Sequence, residues 1–148
     1  MISAGLDVRR IARADWEWIS AWFDDAELDR WLGPMDQEWL EHVLSDREGV
    51  QLVVESGEGV PVALMGCAWD PSGTRHGVTD IAVNPRLRRS GIGRQSLAAA
   101  ITWDAHPPTD GWMAFVDPDN DAAFHFFSTA GWSRQGLDDG MHRFCLGR

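Results

Sequence analysis

The 148-residue chain contains no tyrosine, so no phenol is available in it to give or take a proton. It has only two cysteines, Cys67 and Cys145, and no Cys-x-x-Cys, which argues against a disulfide scaffold or a thiolate metal site. Both lie in apolar, strand-like runs and read as buried free thiols in a reducing, cytoplasmic setting. No run of about 18 apolar residues occurs, so no membrane span is expected. Met1-Ile2-Ser3-Ala4-Gly5 lacks the basic region and long apolar run of a signal peptide. Cations are few: 13 Lys plus Arg against 23 Asp plus Glu give a net charge of −10 and a pI near 4.7. That balance argues against non-specific binding to nucleic acid or an anionic membrane. His42, His76, His106, His125 and His142 show no metal-ligand spacing, and no metal site is expected. There is no Gly-x-Ser-x-Gly and no cysteine in a nucleophile context. Neither repeats nor linkers divide the chain, and residues 1–148 read as one domain.

Against that background one stretch stands out. Val78 to Val83 is apolar and partly β-branched, as a buried strand is, and Asn84-Pro85 ends it. Four arginines (Arg86, Arg88, Arg89, Arg94) and two glycines (Gly91, Gly93) follow. Then Leu97, Ala98, Ile101 and Ala105 recur at helical spacing. A strand, a basic glycine-containing loop and a helix start suit an anion: the helix offers unpaired N–H groups and its positive dipole end, glycine admits close approach, and arginine adds charge and paired donors. A basic island in an acidic chain points to a phosphate or pyrophosphate. The Gly-Lys-Ser/Thr of a P-loop and the third glycine of a dinucleotide fingerprint are both missing.

The remaining elements follow in order. Leu6 to Ile11 reads as a strand. Asp15 is placed as N-cap of a helix carrying Trp16, Ile19, Trp22 and Phe23. A second short helix runs to about Trp31 and stops at Gly33-Pro34, and Asp36 caps a third with Trp39, Leu40, Val43 and Leu44. Trp16, Trp18, Trp22, Trp31 and Trp39 share this segment with Asp24, Asp25, Glu27 and Asp29. Such faces hold an ammonium or, more commonly, fill a core beside a solvated face. Val50 to Glu55 and Val60 to Trp69 form a hairpin, and Pro71-Ser72-Gly73 leads into the central strand. After Pro107-Pro108 come a short strand, Trp112 to Val116, and the helix-start cluster Asp117-Pro118-Asp119-Asn120. Ala122, Ala123, Phe126, Phe127 and Ala130 form a helical face closed by Gly131. A final hairpin runs from Trp132 to Gln135 and from Met141 to Leu146.

Two of these segments carry a resemblance. Arg88-Arg89-Ser90-Gly91-Ile92-Gly93 matches the Arg/Gln-x-x-Gly-x-Gly/Ala loop of the GCN5-related N-acetyltransferase (GNAT) superfamily. Asn120-x-x-Ala123-x-x-Phe126-Phe127-x-x-x-Gly131-Trp132 is similar to a later segment of that family, and together they cover residues 78 to 135. The resemblance implies an α+β fold in α/β/α layers: a mixed, mostly antiparallel sheet of about seven strands, flanked by helices, whose central strands (here 78–83 and 112–116) splay apart. It implies acetyl-CoA as co-substrate. Its pantetheine arm is expected along Ile81, Ala82 and Val83 and flanked by Asn120 and Phe127, and its pyrophosphate on Arg88, Arg89, Ser90, Gly91, Ile92, Gly93 and Arg94.

The implied activity is transfer of an acetyl group to a primary amine of a small molecule, aminoglycoside- or polyamine-like. The acidic remainder of the chain suits a cationic acceptor. A protein N-terminal or lysine acetyltransferase and a non-catalytic acyl-CoA-binding module are the alternatives, and the assembly is a monomer or homodimer. Asp80 is the expected general base, with a strand bulge deciding whether it or Thr79 takes the productive face. Asp70, Asp117 and Glu55 are reserves. Val83 N–H is the expected oxyanion donor. The chain departs from the family at Phe127, which stands where a tyrosine acid is usual and cannot donate a proton. Water, Ser128 or His125 remain for that role.

Overall fold

The structure, a computed structural model, describes residues 5–147. The reading of the first four residues therefore lies outside it. Seven strands form one sheet: β1 (Leu6–Arg10), β2 (Gly49–Ser56), β3 (Pro61–Ala68), β4 (His76–Val83), β5 (Gly111–Val116), β6 (Ser133–Asp138) and β7 (Met141–Gly147). They lie in the order β1-β2-β3-β4-β5-β7-β6. Every neighbouring pair is antiparallel except β4 with β5. The helices are α1 (Trp16–Trp22), α2 (Ala26–Leu32), α3 (Gln37–Ser45), α4 (Ile92–Ile101) and α5 (Asp121–Thr129).

The helices divide between the two faces. Leu97 and Ala100 of α4 and Phe127 of α5 pack with Leu52, Met65, Val78 and Phe144. Ile19, Leu28 and Leu40 of α1 to α3 pack with Val53, Leu64 and Ala82 on the opposite face. Trp16, Trp18, Trp22 and Trp39, partly buried, pack against that second cluster, so these tryptophans serve in packing at its edge. In α4 the inward positions are Ser96, Leu97, Ala99 and Ala100. Ala98 faces out, and Ala105 lies beyond the helix end at Ile101, one turn short of the sequence expectation.

Local signals account for three helix starts and for the end of α5. Asp25, Asp36 and Asn120 each accept a backbone N–H three residues on, from Leu28, Trp39 and Ala123, as N-caps do. At the end of α5, Trp132 N–H bonds Phe127 O and Gly131 N–H bonds Ser128 O. Gly131 sits at φ +88°, and the Trp132 and Phe127 rings lie 5.1 Å apart. This is a left-handed glycine cap with its apolar clasp. Asp15 departs from expectation. Its side chain makes no cap to α1 and turns back to take both guanidinium nitrogens of Arg9 at 2.8 Å, the Ala12 N–H and the Trp18 indole N–H. A two-pronged arginine outcompetes a neutral backbone donor.

The feature that positions the site is the junction of β4 and β5. They pair over only three rungs, His76↔Trp112, Gly77↔Met113 and Val78↔Ala114, and then part. Two histidines brace the closed end. His76, fully buried, accepts the Asp70 N–H at Nδ1 and lies 2.9 Å from Pro107 O at Nε2. His106 accepts the Trp69 indole at Nδ1 and contacts Ala100 O at Nε2. The rings of both lie within about a ring's width of Trp112, at 5.3 and 4.9 Å.

Candidate active site

Beyond Val78 the β5 side of β4 has no strand partner. Asn84 N–H bonds Val62 O on β3. In an antiparallel ladder, backbone groups alternate between partner and far side. Ala82 therefore faces Leu64, while the N–H groups of Ile81 and Val83 turn into the gap. Of the three strand residues expected to meet a pantetheine arm, Ile81 and Val83 offer backbone groups there. Ala82 spends its own on β3.

The loop after β4 has the backbone an anion needs. Arg89 (φ +62°) and Gly91 (φ +81°) both lie in the left-handed region, which turns successive amides the same way. Gly91 is the N-cap of α4 and offers no side-chain cap. The first internal bond of the helix start runs from Gln95 N–H to Gly91 O, leaving the amides of Ile92, Gly93 and Arg94 for a ligand. A Cβ at Gly93 would lie 3.0 Å from the Phe126 ring and 3.2 Å from Val83 Cγ2. Glycine there lets the helix start settle against α5 and the end of β4. Ser90 Oγ closes the turn on Leu87 O.

The side chains of this loop are less uniform than the sequence suggests. Arg88 is already held: its guanidinium grips both oxygens of Asp25, the N-cap of α2, with Glu27 at 3.7 Å. Arg88 holds the Asp25 carboxyl at about 2, with help from the Leu28 N–H. What Arg88 gives the loop is an anchor to α2. Arg94 reaches Thr129 O at the end of α5. Arg89 is exposed and has no side-chain partner among the described residues. Asn120 and Phe127 are likewise committed. The Asn120 amide oxygen caps α5. The Phe127 ring is enclosed by Phe126, Trp132 and Phe144, with centroids at 5.2, 5.1 and 5.7 Å. The family-like position is thus a packing residue here, and the helix surface beside Gly93 is supplied by Phe126.

Asp80 lies two residues past the last β4–β5 rung. The β3–β4 register steps from Gly66↔Asp80 to Cys67↔Val78, so Thr79 is the extra residue of a bulge in β4. The bulge reverses the alternation. Val78 and Ile81 pack toward α4, whereas Ala82 packs toward α1 to α3, and Asp80 shares that second face. Its Oδ2 accepts from Gln51 Nε2 at 3.0 Å and its Oδ1 from Thr79 Oγ1 at 3.0 Å. Burial pushes the Asp80 carboxyl above its ordinary value, and these two donors, together with the Gly66 backbone amide, pull partly the other way. A carboxylate with raised proton affinity at a strand split is suited to receive a proton.

The reserve carboxylates are occupied elsewhere. Asp70 takes the Ser72, Thr74 and Arg75 amides and the Ser72 hydroxyl. Glu55 pairs with Arg9, and Asp117 accepts the Asp119 N–H. His125 is exposed on α5. Among the described residues no group of three or more His, Cys, Asp or Glu is arranged to hold a metal ion, and no helix is long and apolar enough to cross a membrane. Gln51 and Gly66 were not marked by any sequence signal. A glutamine in an apolar strand and a glycine in another acquire meaning only from register.

Comparison with known proteins bears on this arrangement. A family model described as "Acetyltransferase (GNAT) family" matches residues 8–132. No curated protein matches the chain by sequence. Among solved structures, AAC(6')-Ib with acetyl-CoA superposes with a TM-score of 0.79 at 17% identity, covering 97% of this chain and 94% of that one. Spermidine N-acetyltransferase from Vibrio cholerae, in complex with CoA and spermine, gives 0.74 at 17% identity, covering 97% and 96%. An aminoglycoside N(6')-acetyltransferase from Legionella pneumophila gives 0.76 at 14% identity, covering 97% and 92%. The parted strands, the amide-lined loop and the family match over most of its length agree, and the chain belongs to the acetyltransferase (GNAT) family, enzymes that carry an acetyl group from acetyl-CoA to an amine.

Proposed function

We propose that the chain, acting as one domain, acetylates a primary amine of a small molecule. The observation that carries this reading is the placement of the Asp80 carboxylate at the β4–β5 split, on the strand whose far end feeds the anion loop. Acetyl-CoA supplies an activated acyl group and a thiolate leaving group. The amides of Ser90 to Arg94, with the exposed Arg89, would hold its phosphates, and Ile81 and Val83 would line its arm. Arg88 secures the loop through Asp25, and Asn120 and Phe127 secure α5.

A free alkyl amine is mostly protonated near neutral pH. Asp80 takes that proton, directly or through water, and so exposes the lone pair. The new N–C bond forms as the C–S bond breaks, with the Val83 N–H facing the gap as a donor for the oxygen. The acylated nitrogen gives up its surplus proton to solvent, and solvent returns one to the thiolate, whose parent thiol has a pKa of only about 8.5, so a chain without tyrosine is not disabled. The cationic character of the acceptor is supported by the net charge of −10 and by the spermidine and aminoglycoside acetyltransferases of like fold.

The test is acceptor-dependent release of CoA from a panel of polyamines, aminoglycosides and peptides with free amines, alongside calorimetric titration with acetyl-CoA. Arg89→Ala is expected to weaken acetyl-CoA binding, and Asp80→Asn to abolish turnover while sparing it. Full activity in Asp80→Asn would remove the base assignment. Tight acetyl-CoA binding with no acceptor turned over would favour an acyl-CoA-binding module, and release only with peptides a protein acetyltransferase.

A further inference from the structure

Gln51, Gly66 and Asp80 come from three adjacent strands and stand in one row across the sheet, Gln51↔Gly66 and Gly66↔Asp80. All three lie on the face toward α1 to α3, since Val53, Leu64 and Ala82, two residues away on each strand, pack there. Gln51 is buried. Its amide spans the row above Gly66, where a Cβ would lie 2.2 Å from Asp80 Oδ1, 2.4 Å from Thr79 Oγ1 and 2.9 Å from Gln51 Oε1. The glycine thus holds open the space in which a β2 side chain reaches a β4 carboxylate.

The two Asp80 oxygens have different partners. Oδ2 meets the Gln51 amide, whose NH₂ can only donate. Oδ1 meets the Thr79 hydroxyl, which donates to a carboxylate and, by rotation, accepts from a carboxylic acid. Thr79 is also the exposed member of the group. We propose that Gln51 is a positioning residue for acetyl transfer: it fixes Asp80 through Oδ2, leaves Oδ1 as the oxygen that takes the acceptor's proton, and makes Thr79 the partner that adapts when the proton arrives.

This rests on the reading of Asp80 as base. The proton leaves the ammonium for Oδ1 and passes to solvent on the Thr79 side after turnover. The titratable neighbour on β3 is the Cys67 thiol, which burial and Asp80 push well above its ordinary range. It stays neutral through the working range. The helices on this face contribute Ile19, Leu28 and Leu40, and among the described residues no ion pair reaches Asp80. On this reading the acid limb of the rate profile is assigned to Asp80.

The experiment compares pH profiles of kcat/KM for the acceptor in wild type, Gln51→Met, Gln51→Glu, Thr79→Val, Thr79→Ser and Asp80→Asn. Acetyl-CoA affinity is measured beside them. Loss of one donor to a charged oxygen is expected to move the acid limb of Gln51→Met up by about one to two pH units. Acetyl-CoA affinity stays unchanged and activity recovers above the limb. Thr79→Val loses at least about tenfold in kcat, and Thr79→Ser restores it. A folded Gln51→Met with an unmoved limb would overturn the proposal. Should Gln51→Met not fold, the similar-sized Gln51→Glu places a like charge beside Asp80 and must raise the limb further. An unmoved limb there overturns it equally. Turnover by Asp80→Asn would instead overturn the base reading itself. An inactive Asp80→Asn beside unmoved Gln51 limbs would leave Asp80 as base and remove only the role of Gln51.

Discussion

Alanine at Gly66 sets a single methyl group against the Asp80 carboxylate. The added Cβ would stand 2.2 Å from Oδ1 and 2.4 Å from Thr79 Oγ1, and contacts under 3.0 Å essentially do not occur. Backbone retreat is resisted, because β3 is hydrogen-bonded on both sides, to β2 and to β4. The carboxylate must move instead, and it is tethered at 3.0 Å to both Gln51 and Thr79, so moving it stretches at least one of those bonds. Overpacking of this kind costs about 1–3 kcal/mol of stability. For catalysis, a displacement near 1 Å costs on the order of 10²-fold, within the roughly 10²–10⁴-fold that a general base supplies. The loop before α4 lies beyond the end of β4, and the Ile81 and Val83 amides turn to the β5 side of β4, opposite β3 and Gly66, so acetyl-CoA affinity is expected to hold. Urea denaturation, calorimetry with acetyl-CoA and steady-state CoA release read the three effects separately. A Gly66→Ala variant that binds acetyl-CoA normally and turns over at the wild-type rate would refute the claim that the place of the carboxylate above Gly66 matters.

Further outcomes follow from the same geometry. Because burial raises the Asp80 carboxyl in the folded chain, the native state binds that proton more tightly than the unfolded state does. Its contribution to stability is therefore present at low pH and is lost as pH rises from the ordinary aspartate value through the raised one. Asp80→Asn is expected to melt no lower than wild type at neutral pH although it is inactive, and a clearly lower Tm would contradict the sign. Asn120→Ala removes the cap on Ala123 and should cost about 0.5–2 kcal/mol by chemical denaturation. Phe127→Ala empties a site bounded by Phe126, Trp132 and Phe144 and should cost about 3–5 kcal/mol. A loss under about 1 kcal/mol would mean that the ring faces the gap and not the core.

Much of this protein was legible in its order of residues. Asp36 and Asn120 mark helix starts, Gly131 marks a helix end, and Arg88 to Gly93 marks the glycine-bearing turn into α4, because each rests on hydrogen bonds or backbone angles spanning about four residues. Asp15 shows where that locality fails: Arg9 and the Trp18 indole, brought to it by the turn into α1, outbid the helix. Arg88 shows the same at longer range, its partner Asp25 lying 63 residues away.

The pairing of Gln51 with Asp80 across Gly66 was decided by tertiary structure alone. It depends on the registers of two ladders and on one extra residue at Thr79, and a shift of one residue in either would send the carboxylate to the other face. The residue types, and hence the chemistry available, are a property of the sequence. Which donor meets which oxygen of Asp80 is settled by how three strands line up, because cross-strand neighbours are fixed by pairing and not by distance along the chain.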